Sequence, residues 1–193
     1  MNNPKVKIIE IKNLSNSYYK LDKVDFEYQT KNGNWQSQSR ESYNRGDGAA
    51  ILLYNSTKKT VILTKQFRMP SYLNGNSTGM MIEVCAGLLD ENNPEACIIK
   101  EVEEETGYKI TNPKKVFELF STPGAVTEKI YYFIAEYHDD MKISDGGGLE
   151  EEQEEIEVLE INFDTALKMV STGEINDAKT VILLQFAKLN SLA

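Results

Sequence analysis

Three segments at the start of the chain predict β-strands: the first is rich in β-branched residues, the second alternates apolar and polar residues, and the third is polar and follows a turn. The predicted strands are residues 6–11, 18–28 and 36–43. An Asn-Gly pair within residues 31–34 favours a turn between the second and third strands. We therefore expect residues 1–45 to form an antiparallel β unit, ahead of a main domain at residues 46–193.

Apolar runs and helical periodicity predict the strands and helices of the main domain. The predicted strands are residues 49–54, 60–64, 80–86, 116–120, 129–137 and 156–161. The predicted helices are residues 94–107, 164–171 and 177–189, and the predicted loops are residues 71–79 and 139–155. Asn93 suits the N-cap of the first helix, Pro94 its first position and Gly107 its end. Because strands and helices do not alternate regularly, we expect an α+β fold.

Charge narrows the choice of partners. The chain has 193 residues, 40% of them apolar, and a formal net charge of −9. An acidic surface repels phosphate backbones, so a nucleic-acid partner is not expected. A phosphate-bearing substrate would need a divalent cation to offset the charge. Without a secretory signal or a long apolar segment, the expected location is cytoplasmic, with no membrane partner.

The few histidines and cysteines exclude several kinds of site. His138 is the only histidine, so neither a histidine-based triad nor a zinc site is expected. Cys85 and Cys97 stand in apolar surroundings and are expected to be free thiols. Acid–base chemistry is therefore expected to use carboxylates.

Clustered glutamates at the end of the first predicted helix are the strongest chemical signal. Glu101, Glu104 and Glu105 lie three and four residues apart, on one helical face, where like charges repel each other. The helix dipole also disfavours negative charge at this end. One interpretation is a solvated acidic face. The other is a site for magnesium, which prefers oxygen ligands.

The same segment carries a family resemblance. Gly87, together with KEVEEETGY at residues 100–108, resembles the Nudix box: Gly, five residues, Glu, seven residues, then Arg-Glu-apolar-any-Glu-Glu-any-Gly-apolar. Here the spacing from Gly87 is one residue shorter, Asn92 stands at the position of the first Glu, and Lys100 replaces Arg. With these departures, the sequence resembles the GDP-mannose pyrophosphatase branch, which belongs with the ADP-ribose pyrophosphatase-like enzymes. The segments similar to that branch are residues 82–90 followed by 94–97, together with residues 45–49, 66–68, 121–128, 146–148 and 173–180.

The resemblance implies a Nudix fold, in which a mixed β-sheet is sandwiched between helices and the N-terminal β unit supports a homodimer. It also implies bound Mg²⁺, or alternatively Mn²⁺. The implied metal ligands are the Ala86 carbonyl, Glu101, Glu105 and Glu154. The implied catalytic residues are Glu154, Glu104 and Glu151, and Glu155 stays open as an alternative loop glutamate.

A substrate site follows from the same resemblance. Its implied residues are Tyr18, Ser39, Arg40, Glu41, Arg68, Ala86, Gly87, Leu88, Glu105, Glu128, Gln153, Glu154 and Lys179. Arg68 suits a diphosphate because a guanidinium donates two parallel hydrogen bonds, although a surface salt bridge is the alternative. Tyr18 resembles a base-stacking position, with a packing role as the alternative. Residues 39–41 resemble a segment that reaches the nucleotide of the neighbouring subunit, which implies that the N-terminal strands cross between the subunits of a two-fold dimer.

The expected reaction is hydrolysis of GDP-mannose to GMP and mannose 1-phosphate. ADP-ribose hydrolysis by the same metal chemistry is the nearest alternative. A nucleotide-sugar sensor that binds without cutting is the alternative from another class of protein.

Overall fold

Three strands at the start of the chain form an antiparallel sheet in sequence order. They are β1 (Val6–Asn16), β2 (Lys20–Gln29) and β3 (Trp35–Asn44). β2 and β3 close on the predicted turn, where Gly33 has a φ of 82° that few other residues adopt easily. β1 continues past the predicted end at residue 11, because bulges near Glu10 and Ser15 adjust its register with β2.

The chain divides into two compact units, described in a computed structural model that covers residues 5–89, 93–149, 151 and 153–193. The first unit comprises the chain up to Asp47 together with Phe120–Ile130. The second unit comprises Gly48–Leu119 and Tyr131–Ala193. The predicted division at residues 45 and 46 assigns dimerisation to one segment and hydrolysis to the other, and that assignment stays a prediction.

A seven-stranded sheet forms the centre of the second unit, in the order β10-β5-β4-β9-β8, with β6 paired to β5 and β7 to β4. Its strands are β4 (Gly48–Asn55), β5 (Thr60–Phe67), β6 (Met80–Glu83), β7 (Cys85–Leu88), β8 (Lys114–Phe120), β9 (Lys129–Glu136) and β10 (Glu157–Asn162). The predicted strand 80–86 is two strands, because the chain leaves β5 for β4 at Val84. There the Val84 N–H donates to Thr180 Oγ1 at 2.8 Å, which satisfies a group between the two ladders.

Four α-helices accompany the sheet: α1 (Met69–Leu73), α2 (Pro94–Glu101), α3 (Phe163–Thr172) and α4 (Ala178–Leu189). The Asn93 side chain caps α2 as predicted. After Glu101 the helix widens into a π-helical turn, Val102–Thr106, and ends at Gly107 with a φ of 75°. The predicted loop 71–79 was wrong at its start, since Pro70 in the first turn of α1 suits a helix N-terminus.

Helices cover both faces of the sheet. Alternate side chains of a strand point to opposite faces. On one face of β4, Ala49, Ile51 and Leu53 share a buried cluster with Ile98 of α2. Positions 50 and 52, on the other face, are also fully buried, and α4 contacts β4. The predicted α+β class, a mixed sheet sandwiched between helices, is confirmed. None of the helices in the described part of the chain has the length and apolar character needed to cross a membrane.

Candidate active site

The three helix glutamates have different environments. Glu105 is 2% exposed, on the inner side of the π-helical turn. Glu104 is paired with Lys100, whose Nζ lies 3.2 Å from Glu104 Oε2. Glu101 lies against β7, where a Cβ added to Gly87 would overlap its carboxylate. Gly87 therefore lets the backbone of β7 pass directly beside this helix.

The Glu105 carboxylate is the least compensated group at this site. Its Oε2 is buried and has no hydrogen-bond partner in the described part of the chain. The pKa of Glu105 is raised to about 8, chiefly by burial. The charges of Glu101 and Glu154 contribute to the increase, whereas a hydrogen bond from the Cys85 thiol lowers the pKa. A buried carboxylate of this kind is stable in its charged form only beside a cation.

A glycine-rich segment packs against the end of the helix. The Gly147 N–H donates to the Glu105 carbonyl at 2.9 Å, and the Gly148 N–H donates to the Glu104 carbonyl at 3.2 Å. These bonds satisfy carbonyls left open at a helix end. Residues 146–148 all have positive φ, which favours glycine. The segment thereby fixes the start of the acidic loop beside the helix glutamates.

The acidic loop brings Glu154 to the site. A Cβ added to Gly148 would lie 2.7 Å from the Glu154 Cβ, so the two residues are in close contact. The Leu149 N–H donates to Glu154 Oε2 at 3.4 Å. Glu151 and Gln153 are exposed, and Gln153 has a φ of 57°. Among the predicted loop residues, Glu154 is therefore the one whose charge acts on Glu105.

Two predicted phosphate-binding cations lie in the same unit and share a carboxylate. Arg68 Nε lies 2.6 Å from Glu83 Oε2, and Lys179 Nζ lies 3.1 Å from Glu83 Oε1. Lys179 also contacts Asp177 at 2.6 Å. The charge of Arg68 lowers the pKa of Glu105, which places the guanidinium near the glutamates.

Five of the predicted substrate residues belong to the first unit, whereas Ala86 and Leu88 lie on β7 of the second. Tyr18 is 85% exposed and stacks edge-on with Tyr19. Residues 39–41 are exposed on β3, and Arg40 and Glu41 line a cavity of about 430 Å³ together with Phe120 and residues 123–127. Glu128 is buried and accepts a hydrogen bond of 2.5 Å from Ser121 Oγ. Arg45 Nε lies 3.4 Å from the other Glu128 oxygen.

Comparison with known families agrees with this geometry. The sequence model of the NUDIX domain matches residues 44–181. The chain belongs to the Nudix hydrolase superfamily. A second family, described as the GDP-mannose pyrophosphatase NudK N-terminal domain, matches residues 5–43. The predicted Nudix fold is thereby confirmed.

Curated relatives resemble this Nudix chain over nearly its whole length. The GDP-mannose pyrophosphatase of Salmonella typhimurium is 52% identical over 187 residues, which cover 97% of each chain. The GDP-mannose pyrophosphatase of Yersinia pestis is 50% identical over 186 residues, which cover 96% of this chain and 93% of the relative. The predicted branch of the superfamily is thereby confirmed.

Nudix hydrolases generally use divalent metal ions, and the residues present fit such an ion. Within the described ranges, no three His, Cys, Asp or Glu side chains are already arranged as a metal site. The fit rests instead on Glu105, whose buried oxygen has no partner in that part of the chain and whose neighbours are carboxylates. Oxygen donors of this type suit hard divalent ions.

Sequence reasoning missed three participants. Glu83 links Arg68 to Lys179, Thr180 bonds the backbone beside Glu83, and the Cys85 thiol bonds Glu105. A charged residue within the apolar run 80–86 was the available signal for Glu83. The expected free thiols are confirmed, with Cys85 buried and Cys97 half-buried. Asn92, the departure from the Nudix box, lies outside the described residues.

Proposed function

We propose that this Nudix hydrolase cleaves the diphosphate of GDP-mannose to give GMP and mannose 1-phosphate. The names and full-length similarity of the Salmonella and Yersinia relatives support this substrate. The observation that carries the proposal is the buried, unpartnered carboxylate oxygen of Glu105 beside Glu101 and Glu154. Like charges kept together in this way need a cation, and a diphosphate substrate needs the same cation.

Mg²⁺ is the proposed ion, with Mn²⁺ as the alternative, and the Ala86 carbonyl, Glu101, Glu105 and Glu154 would hold it. When bound, a divalent ion neutralises charge on a diphosphate and lowers the pKa of a coordinated water. Gly87 leaves the Glu101 carboxylate free of side-chain overlap on β7. The glycines of residues 146–148 hold the loop that carries Glu154.

Glu154 is the proposed general base, which accepts the proton of the attacking water. It lies close enough to Glu105 to influence that pKa, and the loop is anchored by the bond from Leu149. Glu104 is paired with Lys100, and Glu151 is exposed, so both have less support for this role. Arg68 and Lys179 would contact the diphosphate oxygens.

Product analysis with a substrate panel tests the reaction. GDP-mannose and ADP-ribose are compared by kcat/KM with Mg²⁺, and products are followed by phosphorus NMR. Glu101→Gln should lower kcat/KM strongly, whereas Glu103→Gln, an exposed glutamate on the same turn, should not. A higher kcat/KM for ADP-ribose than for GDP-mannose would overturn the assignment of GDP-mannose as the substrate. Binding of nucleotide sugars without any turnover would favour a non-catalytic sensor.

Two loop variants test which glutamate acts as the base. Glu154→Gln should lower kcat by roughly 100-fold or more. Glu151→Gln is the matched loop control and should retain most of the activity. The reverse ranking of the two variants would transfer the role to Glu151.

A homodimer is part of the proposal. The apolar side chains of β1 are largely exposed: Val6, Ile8, Ile9, Ile11 and Leu14. A second copy of the chain would remove this surface from water. Sedimentation should give a dimer for the natural chain and a monomer for Ile9→Glu. A monomeric natural chain at micromolar concentration would refute this part.

Mixed dimers test whether Arg40 serves the neighbouring subunit. Glu101→Gln chains and Arg40→Ala chains are each expected to be impaired. If Arg40 acts across the dimer, mixing and refolding them creates one intact site per mixed dimer and restores activity. If Arg40 acts within its own chain, mixing restores nothing.

The predicted cytoplasmic location stays a prediction.

A further inference from the structure

Glu83 is a buried carboxylate that holds two cations, one on each oxygen. The residue is 4% exposed, at the end of β6. Its Oε2 accepts from Arg68 Nε at 2.6 Å, and its Oε1 accepts from Lys179 Nζ at 3.1 Å. A buried charge with both oxygens bonded avoids the penalty of an unpaired ion. The arrangement also sets the separation of the two cations.

The backbone around Glu83 is fixed from two sides. The Glu83 carbonyl accepts from Thr64 Oγ1 of β5 at 3.3 Å. The next N–H, that of Val84, donates to Thr180 Oγ1 in the first turn of α4. The Asp177 side chain caps α4 by accepting from the Thr180 N–H at 2.9 Å. The place where the chain changes from one strand pairing to another is therefore bonded to the helix that carries Lys179.

Both cations keep donors for a further anion. Arg68 pairs through its Nε, and the two terminal nitrogens of a guanidinium carry four more N–H donors. Its side chain is 41% exposed. Lys179 bonds Glu83 and Asp177, and an ammonium has three donors. Arg68 lies near enough to Glu105 for its charge to lower the pKa of that carboxyl.

We propose that Glu83 is a positioning residue, which holds Arg68 and Lys179 at the separation needed to contact the two phosphates of the substrate together. The proposal rests on the proposed function and deepens it. Glu83 does not touch the substrate. It holds the long, flexible side chains of Arg68 and Lys179 in one arrangement and thereby reduces the rotamer entropy lost on binding.

Steady-state kinetics of Glu83→Gln give the first test. An amide presents one oxygen and one NH₂ group, so it accepts from one cation and repels the other. KM for GDP-mannose should rise by about tenfold or more, the equivalent of one lost charge-assisted hydrogen bond, while kcat changes less. Glu157→Gln removes an exposed glutamate paired with Lys65 and should leave KM unchanged.

A second variant covers the case in which Glu83→Gln does not fold. Glu83→Asp keeps the buried charge but withdraws the carboxylate by about 1.5 Å, the length of one C–C bond. It should fold with a melting temperature near that of the natural chain and still raise KM. A folded Glu83→Asp with natural KM would overturn the proposal. A lowered melting temperature with natural KM would show a purely structural ion pair and would also overturn it.

A double-mutant cycle identifies the route of the effect. If Glu83 acts through Arg68 and Lys179, then Glu83→Gln should raise KM much less in the Arg68→Ala, Lys179→Ala background than in the natural chain. Fully additive effects would contradict the proposal.

Binding of GDP separates this proposal from the proposed function. Calorimetry with GDP and Mg²⁺ measures the diphosphate contact without turnover. If the natural chain binds GDP but does not cleave GDP-mannose, the proposed function fails, and a weakened GDP affinity in Glu83→Gln still supports the positioning role. If the natural chain cleaves GDP-mannose and Glu83→Gln binds GDP normally, only the positioning role fails.

Discussion

Replacing Glu105 with Gln should stabilise the metal-free protein near neutral pH, although it should abolish activity. The Glu105 carboxyl is buried, and its pKa is raised to about 8 from an ordinary value of 4.5. The folded chain keeps a proton on this group up to about pH 8, whereas the unfolded chain loses it near pH 4.5. The free energy of unfolding therefore falls as pH rises between these two values and levels off above them. Glutamine has the same shape and carries no titrating proton.

The size of the effect follows from the width of this window. While the folded state holds one proton more than the unfolded state, each pH unit lowers the free energy of unfolding by about 1.4 kcal/mol. Between about pH 5.5 and about pH 7.5 the natural chain should lose roughly 3 kcal/mol relative to Glu105→Gln. For a chain of this size, that corresponds to roughly 6–12 °C in melting temperature.

Urea denaturation in EDTA, followed by circular dichroism, measures both proteins across this pH range. The difference between their free energies of unfolding should change steadily with pH, since other titrating groups are common to both. Adding Mg²⁺ should remove the contribution of Glu105 to the pH dependence, so that the profile of the natural chain becomes parallel to that of Glu105→Gln. Parallel pH profiles in EDTA would refute the assignment of a strongly raised pKa to this carboxyl.

Three further substitutions test the local geometry. Gly87→Ala places a methyl group where the Glu101 carboxylate lies, so it should lower kcat/KM by roughly 100-fold with little loss of stability. Natural activity would show that the Glu101 side chain can shift without affecting catalysis. Gly148→Ala combines a φ of 82° with a Cβ only 2.7 Å from that of Glu154, so it should lower the free energy of unfolding by about 1–2 kcal/mol and also reduce kcat. Asn93→Ala removes the α2 cap and should cost about 1 kcal/mol of stability in urea denaturation with kcat unchanged; a large loss of kcat would link the cap to catalysis.

Local signals were sufficient for most of the elements. The Asn-Gly turn, the Asn93 cap and the Gly107 stop each depend on neighbouring residues, so a pattern along the chain predicts them. The division of strand 80–86 at Val84 depends instead on partners at Thr64 and Thr180, which are remote in sequence. The π-helical widening after Glu101 also gives no separate signal, because its residues are compatible with an ordinary helix.

The candidate site was also predictable from the sequence only in part. The spacing of Glu101 and Glu105 predicted a shared face, since both lie on one helix. The neighbourhood of Glu154 was expected only from family resemblance, because its position depends on the glycine segment at residues 146–148. Glu83 was not predicted as a site residue, since its role appears only when β5, β6 and α4 are brought together.

The charges at the site imply that metal is needed for substrate binding and not only for the chemical step. Arg68 and Lys179 are already paired with Glu83 and Asp177, so these four groups together carry no net charge. The repulsion that helps raise the pKa of Glu105 shows that the neighbouring carboxylates give a negative potential. A diphosphate dianion entering this potential without a divalent ion would meet net repulsion, in a protein whose formal charge is −9. Calorimetry should therefore detect GDP binding in the presence of Mg²⁺ or Ca²⁺. In EDTA the affinity for GDP should be lower by about 100-fold or more. Equal affinity with and without divalent ions would show that the paired cations alone offset the substrate, and that the glutamates act only after binding.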